Sequence, residues 1–454
     1  MALARLRWNP GGPAVEFVAQ RFSVPYAYLP QDGDEFATIE SLEVFSPLPP
    51  LHAYQEEVKS AVEAVLRTPA GRALVQMPTG SGKTRTVVEA LVAVWGEALG
   101  PGAVVWLAHA EELCDQAADS ISRVWSQNAR TDGRLIRYYG SHEPPAYAIP
   151  GSVVVASLQK AFARLRSGAP FIQSLRTATR LVVVDEAHRA LAPSFREIAE
   201  ALADGGGVLI GLSATPGRGI GRDRENTGLA EMFGQHLISP TSEEDVISKL
   251  QSEGILARVT RQLVETGVRV EPSGEEAEGI RQGFDYGTGV LRTLASNTKR
   301  NRILIDLVEE HLSLGRPTIV FACTVAHARM LSAALSLRGV AAAHIDGEMN
   351  RADRKHTVAQ FRDGEIDVLV NFGILTTGFD APRTRTVMVA RPTMSAVLYG
   401  QMIGRALRGP KMGGGEDAWV VDVHDNFTRF GSVDSIYQAF ERFWDAGTPD
   451  STVD

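Results

Sequence analysis

A chain of 454 residues is longer than one compact core holds, which points to two domains. Hydrophobic content of 44% and charged content of 22% match ordinary globular proteins and exclude a fibrous or wholly disordered class. The net charge of -8 excludes indiscriminate coating of a polyanion, while acid gathered in Glu271 to Glu278 and the last residues leaves stretches such as Arg292 to Arg302 free to form a local basic track.

Residues 1–50 repeat Pro and Gly with little periodicity and read as an N-terminal appendage. The opening MALARLRWNPGGPA has no unbroken apolar stretch of the secretory kind, so a soluble, cytoplasmic protein is expected. From Tyr54 to Arg67, apolar residues recur at Val58, Ala61, Val62, Val65 and Leu66, predicting an amphipathic helix. Strand-like runs then alternate with helical ones: ALVQ, AVVWLA, VVVA near Val153, LVVVDE and VLIGLSAT. The pattern restarts at Thr318 with TIVFA, AAAHI, VLVNF, TVMVA and AWVVDV. Such alternation predicts buried parallel sheets with crossover helices, one in residues 51–238 and one in 297–454. Between them, 239–296 holds a helical pattern around Val246 to Leu256 and a segment, Glu271 to Gly289, without apolar period, read as connector and mobile insertion. Apolar runs such as Ala103 to Ala108 fall far short of the roughly 20 residues that span a bilayer, so no membrane is expected. Cys114 and Cys323 stand alone and read as core residues, with neither zinc nor a disulfide.

Chemistry concentrates at two strand ends. MPTGSGKT, Met77 to Thr84, lies between a strand and a helix, the setting of a phosphate-binding loop. In Thr79, Gly80, Ser81 and Gly82, the glycines let backbone N–H groups turn onto phosphates at a helix N-terminus. Lys83 then meets the β- and γ-phosphates of ATP, and the Thr84 hydroxyl holds Mg²⁺. VVVDEAH places Asp185 and Glu186 at the carboxyl edge of a sheet, Asp185 for Mg²⁺ and Glu186 for activating water, although two acids there can also cap a helix.

TGSGKT, DEAH and SAT in this order resemble motifs I, II and III of superfamily 2 helicases, over roughly Leu51 to Asp425. The resemblance implies an α/β fold of two tandem RecA-like domains with a central ATP cleft. LHAYQ is similar to an LRPYQ segment and implies that Gln55 reads adenine, with His52 and Ala53 in place of Arg and Pro. His188, Ser213 and Thr215 are implied to relay phosphate state to the strand-binding face. AHAEELCDQ resembles motif Ia, VASLQK the strand-contacting segment after it, and FACTVAHA motif IV, implying contacts from Ser157 and Thr324. VNFGILTTGFDAP resembles motif V, with Thr377 at a nucleic-acid phosphate and Asp380 near the nucleotide. QMIGRALR resembles motif VI, which adds Gln401, Arg405 and Arg408 to Glu186 and Asp380 as catalytic groups. The spacing puts Arg405 and Arg408 one helical turn apart on one face.

LTTGFDAP followed by DVHDNFTRFG looks closest to DNA-repair helicases of the RadD and XPB-like group and to restriction-enzyme helicase subunits. Magnesium, ATP and a polynucleotide, DNA preferred, are the implied ligands, with a protein partner in repair, restriction or phage defence. Two alternatives stay open: a DEAH-type RNA helicase with the same motor, and a non-catalytic nucleic-acid clamp.

Overall fold

The computed structural model describes residues 37–42, 48, 50–100, 102–128, 133–217, 223–240, 246–281, 285–374 and 381–425. The compact unit Ile39–Asp454 holds both sheets; of the other unit, Met1–Thr38, only the last two residues are described.

The first lobe runs β1 (Ile39–Leu42), α1 (Ala53–Leu66), β2 (Arg72–Gln76), α2 (Lys83–Val94), β3 (Ala103–Ala108), α3 (Glu111–Asn128), β4 (Gly133–Tyr138), β5 (Ser152–Ser157), α4 (Leu158–Arg166), α5 (Pro170–Ala178), β6 (Thr179–Asp185), α6 (Pro193–Ala203), β7 (Val208–Ser213), α7 (Asp223–Met232) and β8 (Leu237–Ile238). Every residue of β3, β5 and β7 is buried, which only helices on both faces of a sheet allow. The strands lie in the order β1-β4-β5-β3-β6-β7-β2-β8, parallel except for antiparallel β1. β1 comes from the segment read as an appendage. It is held by Glu40, which pairs at 2.7 Å with the buried guanidinium of Arg137 and accepts the Ser122 hydroxyl at 2.9 Å.

The second lobe adds α8 (Val246–Ser252), β9 (Arg258–Glu265), α9 (Gly274–Arg281), α10 (Thr288–Ser296), α11 (Thr298–Ser313), β10 (Thr318–Phe321), α12 (Val325–Leu337), β11 (Ala342–Ile345), α13 (Arg351–Asp363), β12 (Val368–Asn371), β13 (Thr386–Val389), α14 (Ala396–Ile403) and β14 (Asp417–His424). Its sheet, all parallel, has the order β11-β12-β10-β13-β14-β9. The segment read as connector and insertion therefore supplies an edge strand and three helices, α8, α9 and α10. Val290, Leu291 and Leu294 of α10 bury against Val270, Tyr286 and Cys323, while Glu276 accepts the Gly289 N–H at 2.9 Å. One apolar cluster runs from Tyr54 and Val75 through Ile247, Leu250, Ile255 and Leu256 to Ile319, Ile403 and Leu407, joining the lobes through this segment. Cys114 and Cys323 are both buried. Among the described residues no helix is long and apolar enough to cross a membrane.

The basic stretch Arg292 to Arg302 does not form a single exposed track. Arg300 is fully buried, its Nε donating to Asp425 Oδ1 at 3.0 Å and its Nη2 to the Ala390 carbonyl at 2.5 Å. Asp425 also accepts the Thr266 hydroxyl at 2.6 Å, so this buried pair is hydrogen-bonded on both sides. Beside it, His327 Nδ1 accepts the Cys323 N–H at 3.1 Å and Nε2 faces Asn301 Oδ1 at 3.0 Å, an arrangement that requires the neutral ring. Burial, then the Arg300 charge, push the His327 imidazole down to about 3. Between that value and the ordinary 6.5 the unfolded chain binds the extra proton, so stability falls as pH drops below 6.5. Thermal melts from pH 7.5 to 5 are expected to show a falling Tm, with a shallower slope in His327→Gln; equal slopes would exclude this residue as the source.

Candidate active site

The loop between β2 and α2 closes on backbone conformations that glycine adopts freely. Gly80 has φ +84°, and Gly82, at φ +84° and ψ 21°, is the N-cap of α2. A side chain there costs about 1 kcal/mol or more. The N-terminal N–H groups of a helix are left to bind an anion. α1 pins the loop from behind, the Tyr54 hydroxyl and Gln55 Nε2 donating to the Ser81 carbonyl at 2.6 and 3.0 Å. Tyr54 carried no expectation, and its only signal is its place before Gln55 in LHAYQ. Burial, then the Glu253 charge, push its phenol up. Gln55 Oε1 accepts the His52 N–H at 3.0 Å, which leaves Gln55 one N–H and one lone pair for a base edge.

Ser81 is engaged within the loop itself. Its hydroxyl donates to the Pro78 carbonyl at 2.8 Å and its N–H points to the same oxygen at 3.2 Å, so Ser81 helps fix the loop's shape. Thr79, Lys83 and Thr84 are half-buried along the loop and the first turn of α2. A Cβ added at Gly82 collides with Gln55 Nε2 and lies 3.7 Å from Met412 Cε. Gly82→Ala is accordingly expected to weaken ATP binding about tenfold, from strain of roughly 1–2 kcal/mol. Titration calorimetry with ATP checks it, and an unchanged Kd contradicts it.

β6 ends at Asp185, and the chain turns at Glu186 through the left-handed conformation φ +53°, ψ 52°. A residue other than glycine held there costs about 1–3 kcal/mol, a strain that clusters at functional sites. The Glu186 N–H donates to Asp185 Oδ1 at 3.0 Å. Burial, then the neighbouring Glu186 charge, push the Asp185 carboxyl up to about 6 against the pull of Lys83. Burial also raises Glu186, but the charges of Lys83 and Arg405 outweigh it and hold Glu186 below the usual carboxylate range. The pair thus keeps its negative charge on Glu186.

The structure brings His188, Ser213 and Thr215 together, and Gln401 of the other lobe joins them. His188 Nδ1 lies 3.3 Å from Ser213 Oγ and 3.3 Å from Glu186 Oε2. Ser213 Oγ accepts the Thr215 N–H at 3.2 Å and donates to the Thr215 carbonyl at 2.6 Å. Gln401 Nε2, from the other lobe, reaches His188 Nε2 at 3.4 Å and Glu186 Oε2 at 3.5 Å. Because an amide nitrogen only donates, His188 Nε2 accepts and its proton sits on Nδ1. Burial keeps this ring neutral, with its value down to about 3.

The second lobe meets the loop closely. A Cβ at Gly404 would fall 2.7 Å from Thr79 Cβ, and one at Gly80 would fall 2.8 Å from Arg408 Cγ. Bare glycine on each side lets the lobes touch. Arg405 is buried within electrostatic range of Glu186. The expected helical turn between Arg405 and Arg408 is corrected: α14 stops at Ile403, Gly404 caps it, and Arg408 forms an antiparallel bridge with Leu256. The bridge draws the chain out of helix, so the two arginines reach the cleft from a turn and an extended residue.

Thr377 and Asp380 lie outside the described residues. Thr324 is the N-cap of α12, its hydroxyl accepting the His327 N–H at 3.1 Å, so it already has a structural task. Ser157 lines a cleft of 530 Å³ on the first lobe together with His109, Glu111, Glu143, Gln159, Lys160 and Arg164, and Glu143 pairs there with Lys160 at 3.2 Å and Arg164 at 2.5 Å. Lys160 is anchored by the Gly140 carbonyl at 3.1 Å and by that of His142. Glu112 of α3 forms an ion pair with Arg354 of α13, a second bridge between lobes.

Comparison with known proteins follows this division. The family model of the type III restriction enzyme res subunit matches residues 49–218, and that of the helicase conserved C-terminal domain matches 299–410. The Saccharomyces cerevisiae protein IRC3, named as an ATP-dependent helicase, is 24% identical over 79% of this chain and 50% of its own. The structure of the DUF1998 helicase MrfA bound to DNA aligns at TM-score 0.59 and 14% identity over 89% of this chain and 53% of that one. Saccharomyces cerevisiae Dbp5 bound to RNA and ADP BeF3 aligns at TM-score 0.55 and 14% identity over 86% and 87%. The chain spans about half the length of the curated relatives it matches. Fold, motif order and both family models agree: the chain belongs to the superfamily 2 helicases, with a first lobe of the restriction-enzyme res-subunit type and a helicase C-terminal second lobe.

Proposed function

We propose that this chain is a polynucleotide-stimulated ATPase that moves along DNA. The reading is carried by the approach of Arg405 and Arg408 to a loop and a carboxylate belonging to the other lobe. In it, Gly80 and Gly82 hold the phosphates, Lys83 faces the β- and γ-phosphates, Gln55 reads the base, and Glu186 deprotonates the attacking water. Arg405 and Arg408 meet charge developing on the transferred phosphoryl group. Loss of the γ-phosphate removes what holds the arginines to the loop and frees the lobes to part.

Mg²⁺ suits the donors. The Thr84 hydroxyl and the Asp185 carboxylate are hard oxygen ligands, and a buried Asp185 raised to about 6 beside a charged Glu186 is a site short of positive charge. When bound, the ion neutralises phosphate charge. The strand is assigned to the cleft beside Ser157, where Lys160 and Arg164 are the cations and a phosphate would have to displace Glu143 from them.

A non-catalytic clamp fits poorly, since it has no use for strain at Glu186. DNA is the preferred track, supported by the restriction-type family model of the first lobe and by the DNA-bound likeness of MrfA; work in repair, restriction or phage defence beside a protein partner in the cytoplasm belongs to the same proposal. An RNA helicase is the second reading, favoured by the RNA-bound likeness of Dbp5. ATPase rates with single-stranded DNA and RNA of matched sequence separate them: greater stimulation by DNA is expected, greater stimulation by RNA reverses the substrate, and none from either removes the motor.

A further inference from the structure

β3 lies between β5 and β6 in the first sheet, so whatever follows its last residue stands between the ends of those two strands. On one side Ala108 pairs with Ser157, which lines the cleft assigned to the strand. On the other Leu107 pairs with Val184, and two residues further along each strand stand His109 and Glu186. His109 is thereby placed between the cleft and the catalytic carboxylate.

Two observations set it at the cleft and near Glu186, and a third leaves its ring short of a partner. His109 lines the cleft, and Gln159, another lining residue, donates from Nε2 to the His109 carbonyl at 2.7 Å. Its ring lies within electrostatic range of Glu186, Arg189 and His188. Its Nδ1 is buried with no hydrogen-bond partner among the described residues. Burial pushes the imidazole down to about 4, so the ring is neutral near pH 7, with one nitrogen able to donate and the other to accept. A buried nitrogen left without a partner is a state that a small ring movement toward a new partner relieves.

We infer that His109 is a positioning residue that joins the cleft to Glu186, so that a sugar-phosphate backbone seated beside Ser157 fixes the ring and, through it, the carboxylate that activates water. The inference rests on the proposed ATPase and assigns the side chain through which that site senses its strand. Neither Ser213 nor Thr215 serves this purpose, because one ends β7 and the other follows it, on the far side of β6 from the cleft.

The test measures ATPase rates with and without single-stranded oligodeoxythymidylate in wild type, His109→Ala and His109→Gln. The ratio of stimulated to unstimulated rate is expected to fall about tenfold or more in His109→Ala, within the span of ordinary coupling between sites. The strand concentration at half-effect is expected to move much less, and His109→Gln, which keeps a hydrogen-bonding nitrogen, to recover part of the ratio. A ratio in His109→Ala equal to that of wild type, whether both rates hold or both fall together, overturns the inference. A wild-type rate indifferent to the strand overturns instead the ATPase reading beneath it.

Discussion

Arg408→Ala is expected to lower kcat for ATP hydrolysis by about a thousandfold, the lower end of what a phosphate-directed arginine contributes. Arg408 lies along Gly80, its Cγ 2.8 Å and its Nε 3.3 Å from where a Cβ on that glycine would sit. A guanidinium there stands beside a phosphate held by the loop. Its fork matches phosphoryl oxygens and its charge is permanent, so Arg408→Lys is expected to recover little of the rate. Arg405 approaches from the carboxylate side, where its charge helps hold Glu186 ionised, and Arg405→Ala is expected to lose a comparable factor. Because these contacts tighten as charge develops, kcat falls far more than ATP affinity. Steady-state rates with saturating single-stranded DNA, beside ATP binding by calorimetry, decide it. A loss confined to affinity would assign both arginines to ground-state binding.

Glu186→Gln is expected to abolish most turnover, again by about a thousandfold, as for loss of a general base. The substitution keeps shape and hydrogen bonding but removes the one function an amide cannot supply. ATP binding is expected to survive, since Lys83 and the loop glycines do not depend on Glu186 for their backbone. The left-handed conformation at Glu186 adds a separate expectation. Glu186→Gly relieves roughly 1–3 kcal/mol of strain and should be more stable than Glu186→Gln, while equally inactive. Single-turnover hydrolysis and thermal melts on the same samples read both effects, and turnover near wild type in Glu186→Gln removes this residue from its role.

Both sites were legible where the deciding interaction is local. The central strands could be read because burial on both faces demands continuous apolar runs, as in AVVWLA and VLIGLS. The glycine loop and the acidic strand end could be read because each places its chemistry within a few residues. β9 could not be read, since none of its residues is fully buried and its exposed and half-buried positions keep no strict alternation. Arg258 and Arg261 tie it to Asp417 and Asp422, partners 159 and 161 positions away. β1 likewise depends on Arg137 and Ser122, and no local pattern announces them. The helical reading of Arg405 and Arg408 failed for the same reason, because the Leu256 bridge that unwinds the chain belongs to another part of the sequence. Tyr54, Gly404 and His109 acquire meaning only when the lobes or neighbouring strands are set side by side.

One nucleotide shared by two lobes is most directly tested by a crystal structure with ADP, beryllium fluoride and single-stranded DNA. With the ADP phosphates on the Gly80–Thr84 loop, guanidinium nitrogens of Arg405 and Arg408 are expected within about 3 Å of the fluorides. Both guanidiniums lying more than roughly 6 Å from the fluorides, with ADP seated in that loop, would contradict the account.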